Sequence, residues 1–302
     1  MTAYTQISAN RFKTWVIMLG FATFITFLAY IFTVALGFEG PSALGFSGIA
    51  LILAGIMNFV TYYNSDKMVM AISGAKQIQQ KDNPTLFRTV ENLCIASGQP
   101  MPKIYIINDT APNAFATGRD PQHASIAFTT GILQKLSKLE LEGVAAHELS
   151  HVGNYDTRLM TIVSILVGTV ALLADFFLRI SFHAGRDRDD NRANGLVMVI
   201  GLIMALLAPL VATLIQLAIS RKREFLADAS GALLTRNPDG LAEALLKISA
   251  DKEPLEVANK ATAHLYIINP FKGNHRAVGW FANLFNTHPP IQKRVKALQE
   301  MQ

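Results

Sequence analysis

The sequence predicts a mainly α-helical membrane protein with a small β-sheet in its polar part. Three runs contain no Asp, Glu, Lys or Arg, namely 14–38, 41–65 and 193–220. Because a helix needs about 20 apolar residues to cross the hydrocarbon core of a bilayer, each run is long enough to span it. A fourth run, 159–174, is shorter but continues beyond Asp175 into further apolar residues. We therefore expect four transmembrane helices.

These spans form two hairpins that divide the chain into four parts. The expected parts are an N-terminal transmembrane hairpin over 1–66, a first polar part over 67–156, a second transmembrane hairpin over 157–220, and a second polar part over 221–302. Neither polar part has the long linker of an independent domain, so we expect one domain built from both. An ion pair between Asp175 and Arg179 at the end of its span is the simpler interpretation of Asp175, and a functional role is the alternative.

The polar parts show recognisable local patterns. Helices are predicted over 84–96, from Gly131 into the region of 147, and over 221–235, 240–250 and 291–300, and strands are predicted over 103–108 and 125–130. Asn83 is placed to cap the first of these helices. From the residues alone, the segment 112–118 reads as a loop.

Composition excludes several classes of protein. The single cysteine, Cys94, excludes an internal disulfide, and its apolar neighbours indicate a core position. The net charge of +5 does not indicate nucleic-acid binding, because the basic residues are scattered and several flank the spans. The first apolar run is too long for the apolar core of a signal peptide, so we expect it to be retained as an anchor.

Residues 147–151 read His-Glu-Leu-Ser-His. On a helix, positions i and i+4 share one face, so His147 and His151 can reach the same metal ion. Glu148, one position along, can face the open coordination site and act as a base on water there. The stretch before the motif carries two lysines and two glutamates and is too polar for a span. The site should therefore lie at the membrane surface.

A catalytic zinc site needs a third protein ligand. One common pattern places a histidine six residues after the motif, but that position is Thr157 here. Asp175 would lie roughly 36 Å from the motif if the helix continued into the span. Glu224 is better placed, because the second hairpin returns the chain to the side that it left. Asp228 follows one turn later and could accept a hydrogen bond from a ligand histidine.

The combination of His-Glu-x-x-His, the later Glu-x-x-x-Asp and the segment Thr287-His288-Pro289-Pro290 resembles the M48 family of zinc metalloproteases. The four spans look most like its HtpX branch, and the resemblance covers nearly the whole chain. It implies a zincin-like (gluzincin) catalytic domain at the membrane surface, made of the two polar parts, with one zinc ion per chain. It also implies that His147, His151 and Glu224 bind zinc, that Glu148 is the base, and that Asp228 lies behind the ligands.

The resemblance assigns two further groups. His288 would steady the tetrahedral oxyanion, and Arg294, at the matching downstream position of the family, is counted with Glu148 and His288 among the catalytic residues. The family's Asn-Ala-Phe-Ala-x-Gly segment is present at 113–118, where the family has an edge strand that pairs with the substrate backbone. The substrate-binding residues implied by the resemblance are Asn113, Ala114, Phe115 and Ala116.

The positive-inside rule sets the expected orientation. Arg11 and Lys13 precede the first span, only Glu39 lies in the turn after it, and three lysines follow the second span. Both ends of the first hairpin, and with them the active site, are then cytoplasmic. The loop 179–194 disagrees, because it carries four arginines and lies outside in this arrangement. A second hairpin that does not cross fully would satisfy both.

The expected function is hydrolysis of peptide bonds in misfolded or damaged membrane proteins at the cytoplasmic face of the bacterial inner membrane. The expected partners are polypeptide substrates and the lipid bilayer, without nucleic acid. Two alternatives remain from the residues. A transporter is suggested by the four spans and Asp175, and a metal-binding membrane scaffold without turnover would have the same ligands.

Overall fold

The computed structural model of the protein describes residues 3–35, 40–184, 199–200, 202–203, 207, 221–258, 262–270 and 289–301. Its helices are α1 (Ala3–Ala35), α2 (Pro41–Ile72), α3 (Pro84–Ser97), α4 (Thr130–Lys135), α5 (Lys138–Gly153), α6 (Asp156–Ala184), α7 (Arg221–Thr235), α8 (Pro238–Ala250) and α9 (Ile291–Gln299). Its strands are β1 (Lys76–Gln77), β2 (Lys103–Ile107), β3 (Ala114–Gly118) and β4 (Ala124–Thr129). The chain is mainly helical with a small mixed sheet, as predicted.

Two helices among the described residues are long and apolar enough to cross a bilayer, over Ser8–Val34 and Leu44–Ile72. They pack against each other, and the amide of Asn58 donates to the carbonyl of Met18 at 2.9 Å. In the most apolar stretch of each helix, only 33% of the residues in the first and 22% in the second are buried, so most of this apolar surface faces outward. A core helix of a soluble protein would bury that surface, whereas a lipid-facing hairpin exposes it.

The second expected hairpin is described in part. Its first arm lies within α6, while the loop 185–198 and most of the second arm lie outside the described residues. Three residues of that second arm, Ile200, Ile203 and Leu207, are buried in an apolar cluster with residues of α1 and α6. The four-span arrangement stays a prediction.

The sheet has the strand order β1-β2-β4-β3, which places β3 at one edge. Strands β2 and β4 are parallel, and the pairs β1–β2 and β3–β4 are antiparallel. The segment that reads as a loop from its residues alone is therefore the edge strand that the family resemblance implies. Its Ala and Gly residues give weak strand propensity, so the pairing with β4 decides its conformation.

Helix α5 is the central element of the polar part. It packs against α3, α7 and α8, and its buried face shares one apolar cluster with the sheet, α3, α7, α8 and α9. That cluster draws residues from both sides of the second expected hairpin. The proposed division of the chain into four parts stays a prediction.

Two helix boundaries differ from the continuous pattern expected around the motif. The first break falls at Leu136–Ser137, where Ser137 and Glu140 form a reciprocal capping box that starts a new helix. The second falls after Asn154, where Tyr155 adopts a φ of 60° and α6 begins at Asp156. The motif therefore lies on a helix of its own, α5, and this helix does not continue straight into the span.

Candidate metal centre

Helices α5 and α7 bring the predicted ligands together. His147 and His151 lie one turn apart on α5, and Glu224 lies in the first turn of α7. The two helices approach closely at Gly231, where a Cβ would lie 3.0 Å from the backbone nitrogen of His147. The absence of a side chain there lets α7 carry Glu224 up to the histidines.

The three predicted ligands meet in one buried cluster. Their donor atoms all lie within 4.8 Å of one another. The two Nε2 atoms are 3.2 Å apart, and carboxylate oxygens of Glu224 lie 3.9 Å from Nε2 of His147 and 3.5 Å from Nε2 of His151. A tetrahedral zinc ion with bonds of about 2.0–2.1 Å separates its ligand atoms by about 3.3 Å. The donor set and its spacing fit zinc.

Asp228 and Arg294 support His147. Asp228 Oδ1 lies 3.0 Å from Nδ1 of His147, a close polar contact whose alignment does not make a full hydrogen bond. The guanidinium of Arg294 donates to both carboxylate oxygens of Asp228, at 2.8 and 2.6 Å. Such a bidentate pair fixes the orientation of the carboxylate that faces the imidazole.

Asp156 supports His151, and sequence reasoning missed it. Its Oδ2 accepts from Nδ1 of His151 at 3.1 Å, while its Oδ1 accepts from the amide of Asn10 at 2.8 Å and lies 3.5 Å from Arg223. Asp156 has no exposed surface. A contact between Asn10 of α1 and a residue behind the metal ligand leaves no signal in the sequence, because 146 positions separate the partners.

The protonation states in the metal-free chain agree with these contacts. Burial lowers the pKa of His147 to about 4, against the opposing effect of Asp228. Burial also disfavours a charged His151, but its hydrogen bond to Asp156 and the charge of Glu224 outweigh this and raise its pKa to about 9. A protonated His151 then donates to Asp156 and to Nε2 of neutral His147.

Glu148 lies beside the ligands with 2% of its surface exposed. Burial raises its pKa to about 7, and the nearby charge of His151 and the backbone N–H of Ala116, which donates to its carboxylate, act in the opposite direction. A carboxylate whose pKa lies near neutral pH is suited to accept and return a proton. The backbone N–H of Ala116 in β3 therefore orients the carboxylate of Glu148, which the motif predicts to be the base.

The predicted substrate-binding strand is already paired on its outer edge. The carbonyl of Ala114 accepts from the backbone N–H of Ile267 at 3.0 Å, and the side-chain Nδ2 of Asn113 donates to the carbonyl of Ile268 at 3.0 Å. We call residues 266–268 the covering segment. The four predicted substrate-binding residues are consequently buried.

Two other predicted residues have different outcomes. His288 lies outside the described residues, so its predicted role as an oxyanion donor stays a prediction. Arg294 is fully buried, and its NH1 lies 3.5 Å from Glu224 and donates to the carbonyl of Ile267 at 3.2 Å. The side chain of Asp175 also lies outside the described residues.

The chain has clear relatives. The model of Peptidase family M48 matches residues 80–302. A protease HtpX homolog of Dictyoglomus thermophilum is 44% identical over 302 residues, covering 99% of this chain and 95% of the relative. A protease HtpX homolog of Tropheryma whipplei is 45% identical over 303 residues, covering 99% and 98%. The chain belongs to peptidase family M48.

This M48 chain is therefore a metalloprotease, and its relation to HtpX homologues together with its apolar helices makes it a membrane protein. The family implies a metal, typically zinc. In the solved structures, the crystal structure of S. mikatae Ste24p matches with a TM-score of 0.48 and 16% identity, covering 95% of this chain and 66% of that one.

Proposed function

We propose that the chain is a zinc endopeptidase that cleaves misfolded or damaged membrane proteins at the cytoplasmic face of the bacterial inner membrane. The observation that carries this proposal is the buried meeting of His147, His151 and Glu224 beside Glu148. These three residues would hold the ion. Zinc bound there would polarise the substrate carbonyl and lower the pKa of water to about 7.

The other side chains of the site transfer the proton and position the metal ligands in this proposal. Glu148 takes a proton from the attacking water and gives it to the leaving nitrogen, which its pKa near 7 permits. Asp228 and Asp156 fix the tautomers of the two imidazoles, so that Nε2 of each points to the metal position. Arg294 positions Asp228 and Glu224. In this proposal, Arg294 and His288 also have the catalytic roles that the resemblance to the family implies.

The substrate chain adds to the edge of β3 in this proposal. Ala114 presents its carbonyl away from β4, and that carbonyl is the acceptor that a substrate N–H would use. The N–H of Ile267 uses it in the substrate-free chain. Substrate pairing therefore requires the covering segment to leave the strand, and a folded protein would offer no extended chain to replace it.

The proposed membrane arrangement has four spans in two hairpins around a zincin-like domain made of 67–156 and 221–302. The cations at 11 and 13 and the lysines at 67, 76 and 81 support cytoplasmic ends for the first hairpin. Labelling of the variants Glu39→Cys and Lys76→Cys in intact cells, each in a chain that also carries Cys94→Ala, tests it. The proposal predicts that an impermeant reagent reaches the first position and not the second, and the reverse result contradicts it.

The activity test uses Glu148→Gln and a matched control. Glu142→Gln makes the same change on the same helix, away from the metal ligands. The purified full chain, loaded with zinc, is incubated with an unfolded protein substrate. We expect Glu148→Gln to lose roughly 10²–10⁴-fold in cleavage rate at unchanged zinc content, since it removes the proton acceptor. Cleavage by Glu148→Gln at the wild-type rate would contradict the proposal.

A further inference from the structure

A buried cation lies where the apolar hairpin meets the sheet and α5. Arg158, near the start of α6, is only 7% exposed. Its Nε donates to the carbonyl of Arg119, and its guanidinium carbon lies 4.9 Å from the ring centre of Tyr155 and 5.6 Å from that of Tyr62. No carboxylate forms an ion pair with Arg158 in the part of the chain that the structure describes. A buried charge of this kind needs an anion.

Two further arginines surround it. The guanidinium carbon of Arg11 lies 4.6 Å from the ring centre of Tyr155, and that of Arg119 lies 4.8 Å from the ring centre of Tyr63. Arg119 is paired with Asp120 at 3.3 Å, whereas Arg11 is exposed. We call this group the arginine–tyrosine cluster; it consists of Arg11, Tyr62, Tyr63, Arg119, Tyr155 and Arg158. Among the described residues, Asp120 is the one carboxylate that pairs with these three arginines, so the cluster is positively charged.

The backbone holds Tyr155 in an unusual conformation. Its φ of 60° lies in the left-handed region that a bulky side chain rarely adopts. This conformation places the ring in contact with both Arg11 and Arg158. Strain at one residue often marks a site at which the position of a side chain is functional.

The residues around the cluster are of the types found at the level of lipid headgroups. Trp15 stacks on Tyr62 with ring centres 5.7 Å apart, and the antiparallel hairpin becomes polar just beyond this level, at Asp66 and Lys67. Trp and Tyr are enriched at the membrane–water interface, which is also the level of phospholipid phosphates. Next to Arg11 the chain exposes Phe12, at 71%, and Trp15, at 58%, where acyl chains would contact them.

We propose that the arginine–tyrosine cluster binds the phosphate of an anionic phospholipid. The Arg158 guanidinium supplies paired N–H donors in a poorly hydrated position, which suits a phosphate group, and Arg11 closes the site from the exposed side. The apolar side chains beside Arg11 favour a lipid over a free anion. The proposal does not depend on which residues perform catalysis, so a proteolytically inactive Glu148→Gln chain should bind the lipid equally.

Native mass spectrometry of the delipidated full chain tests this site. The chain is titrated with phosphatidylglycerol, with phosphatidylcholine and, separately, with inorganic phosphate. We expect phosphatidylglycerol to bind at least about tenfold more tightly than phosphatidylcholine, since each arginine near the surface attracts an anionic headgroup. Inorganic phosphate at the same concentration should not displace the lipid.

Three variants locate the site within the chain. Arg158→Gln should weaken phosphatidylglycerol binding about tenfold, because it removes the buried cation, and Arg11→Gln about fivefold, because it removes an exposed one. Arg11 is exposed, so its variant tests the site even where Arg158→Gln fails to fold. Lys13→Gln removes a neighbouring exposed cation that stacks on no ring among the described residues and should leave binding unchanged.

Several results would overturn the proposal. Equal binding of phosphatidylglycerol and phosphatidylcholine would show that the cluster does not recognise the negative charge of the headgroup. Displacement by inorganic phosphate would make the ligand a free anion. Equal weakening by Lys13→Gln and Arg11→Gln would show a diffuse surface attraction in place of a built site.

Discussion

The replacement Asp156→Asn tests whether a buried carboxylate fixes the second metal-binding imidazole. The change keeps the shape of the side chain and removes its charge. Asp156 accepts from Nδ1 of His151 at 3.1 Å and from Asn10 at 2.8 Å, without exposure to water. An asparagine that turns its NH₂ group toward His151 would favour the tautomer with its proton on Nε2, which cannot bind a metal.

The expected effect is a loss of zinc affinity. Removing a residue that orients a ligand histidine typically costs about 10- to 100-fold in metal affinity, or about 1.4–2.7 kcal/mol. The change also removes the carboxylate that Arg223 faces at 3.5 Å, so we expect a loss of about 1–3 kcal/mol in the free energy of unfolding. The two effects are measured separately, by chelator competition well below the melting temperature and by thermal unfolding.

The matched control is Asp66→Asn. Asp66 is also a buried aspartate, and it pairs with Lys103 at 3.6 Å. Its replacement makes the same chemical change without a contact to a predicted ligand, so zinc affinity should remain at the wild-type value. If Asp156→Asn also binds zinc with wild-type affinity, or if both variants lose it equally, the positioning role assigned to Asp156 is wrong.

The apparent zinc affinity of the wild-type chain should rise about tenfold per pH unit between about pH 6 and 8, because one proton must leave His151, whose metal-free pKa is about 9; a flat profile would contradict this. In the metal-free chain, the same raised pKa stabilises the fold below pH 6.5, and that contribution is lost as the pH rises through about 9. Gly231→Ala should lower zinc affinity and cost about 1–3 kcal/mol in unfolding free energy, because the new Cβ would press on the backbone of α5. Gly55→Ala, whose Cβ would have no neighbouring atom within 4 Å, should have neither effect. Equal effects of the two changes would refute the close approach of α7 to α5. The amide hydrogen of Ile267 should exchange slowly in the substrate-free chain and faster, relative to amides of α3, when a peptide-like inhibitor occupies the site; unchanged exchange would show that the covering segment stays on Ala114.

The ligand set could be predicted from the sequence because its geometry is largely local. Two histidines four positions apart share a helix face in any helix, so His147 and His151 needed no tertiary information. Glu224 needed only the inference that an apolar hairpin returns the chain to its starting side. The structure brings these three residues together, and Oδ1 of Asp228 lies 3.0 Å from Nδ1 of His147.

The predicted secondary structure differs from the observed one where several backbone conformations are compatible with the same residues. The pattern from Gly131 into the motif predicts one continuous helix, but the capping box at Ser137 and Glu140 makes two. The residues of 112–118 give no strand signal, because small residues acquire strand structure only from a partner. In the structure that partner is β4.

By itself, the sequence predicted three residues that could bind a metal, an apolar first hairpin, and a mainly helical fold with a small sheet. These predictions follow from residue types at fixed spacing. Only the tertiary structure decided what surrounds the site. It placed Asp156 and Asn10 behind His151, the covering segment on β3, and Arg158 between two tyrosine rings. The contacts of Asn10 with Asp156, of Ile267 with Ala114 and of Arg158 with Tyr62 join positions that are far apart in the chain. No periodicity or spacing in the sequence records which distant residues meet once the apolar surfaces are buried.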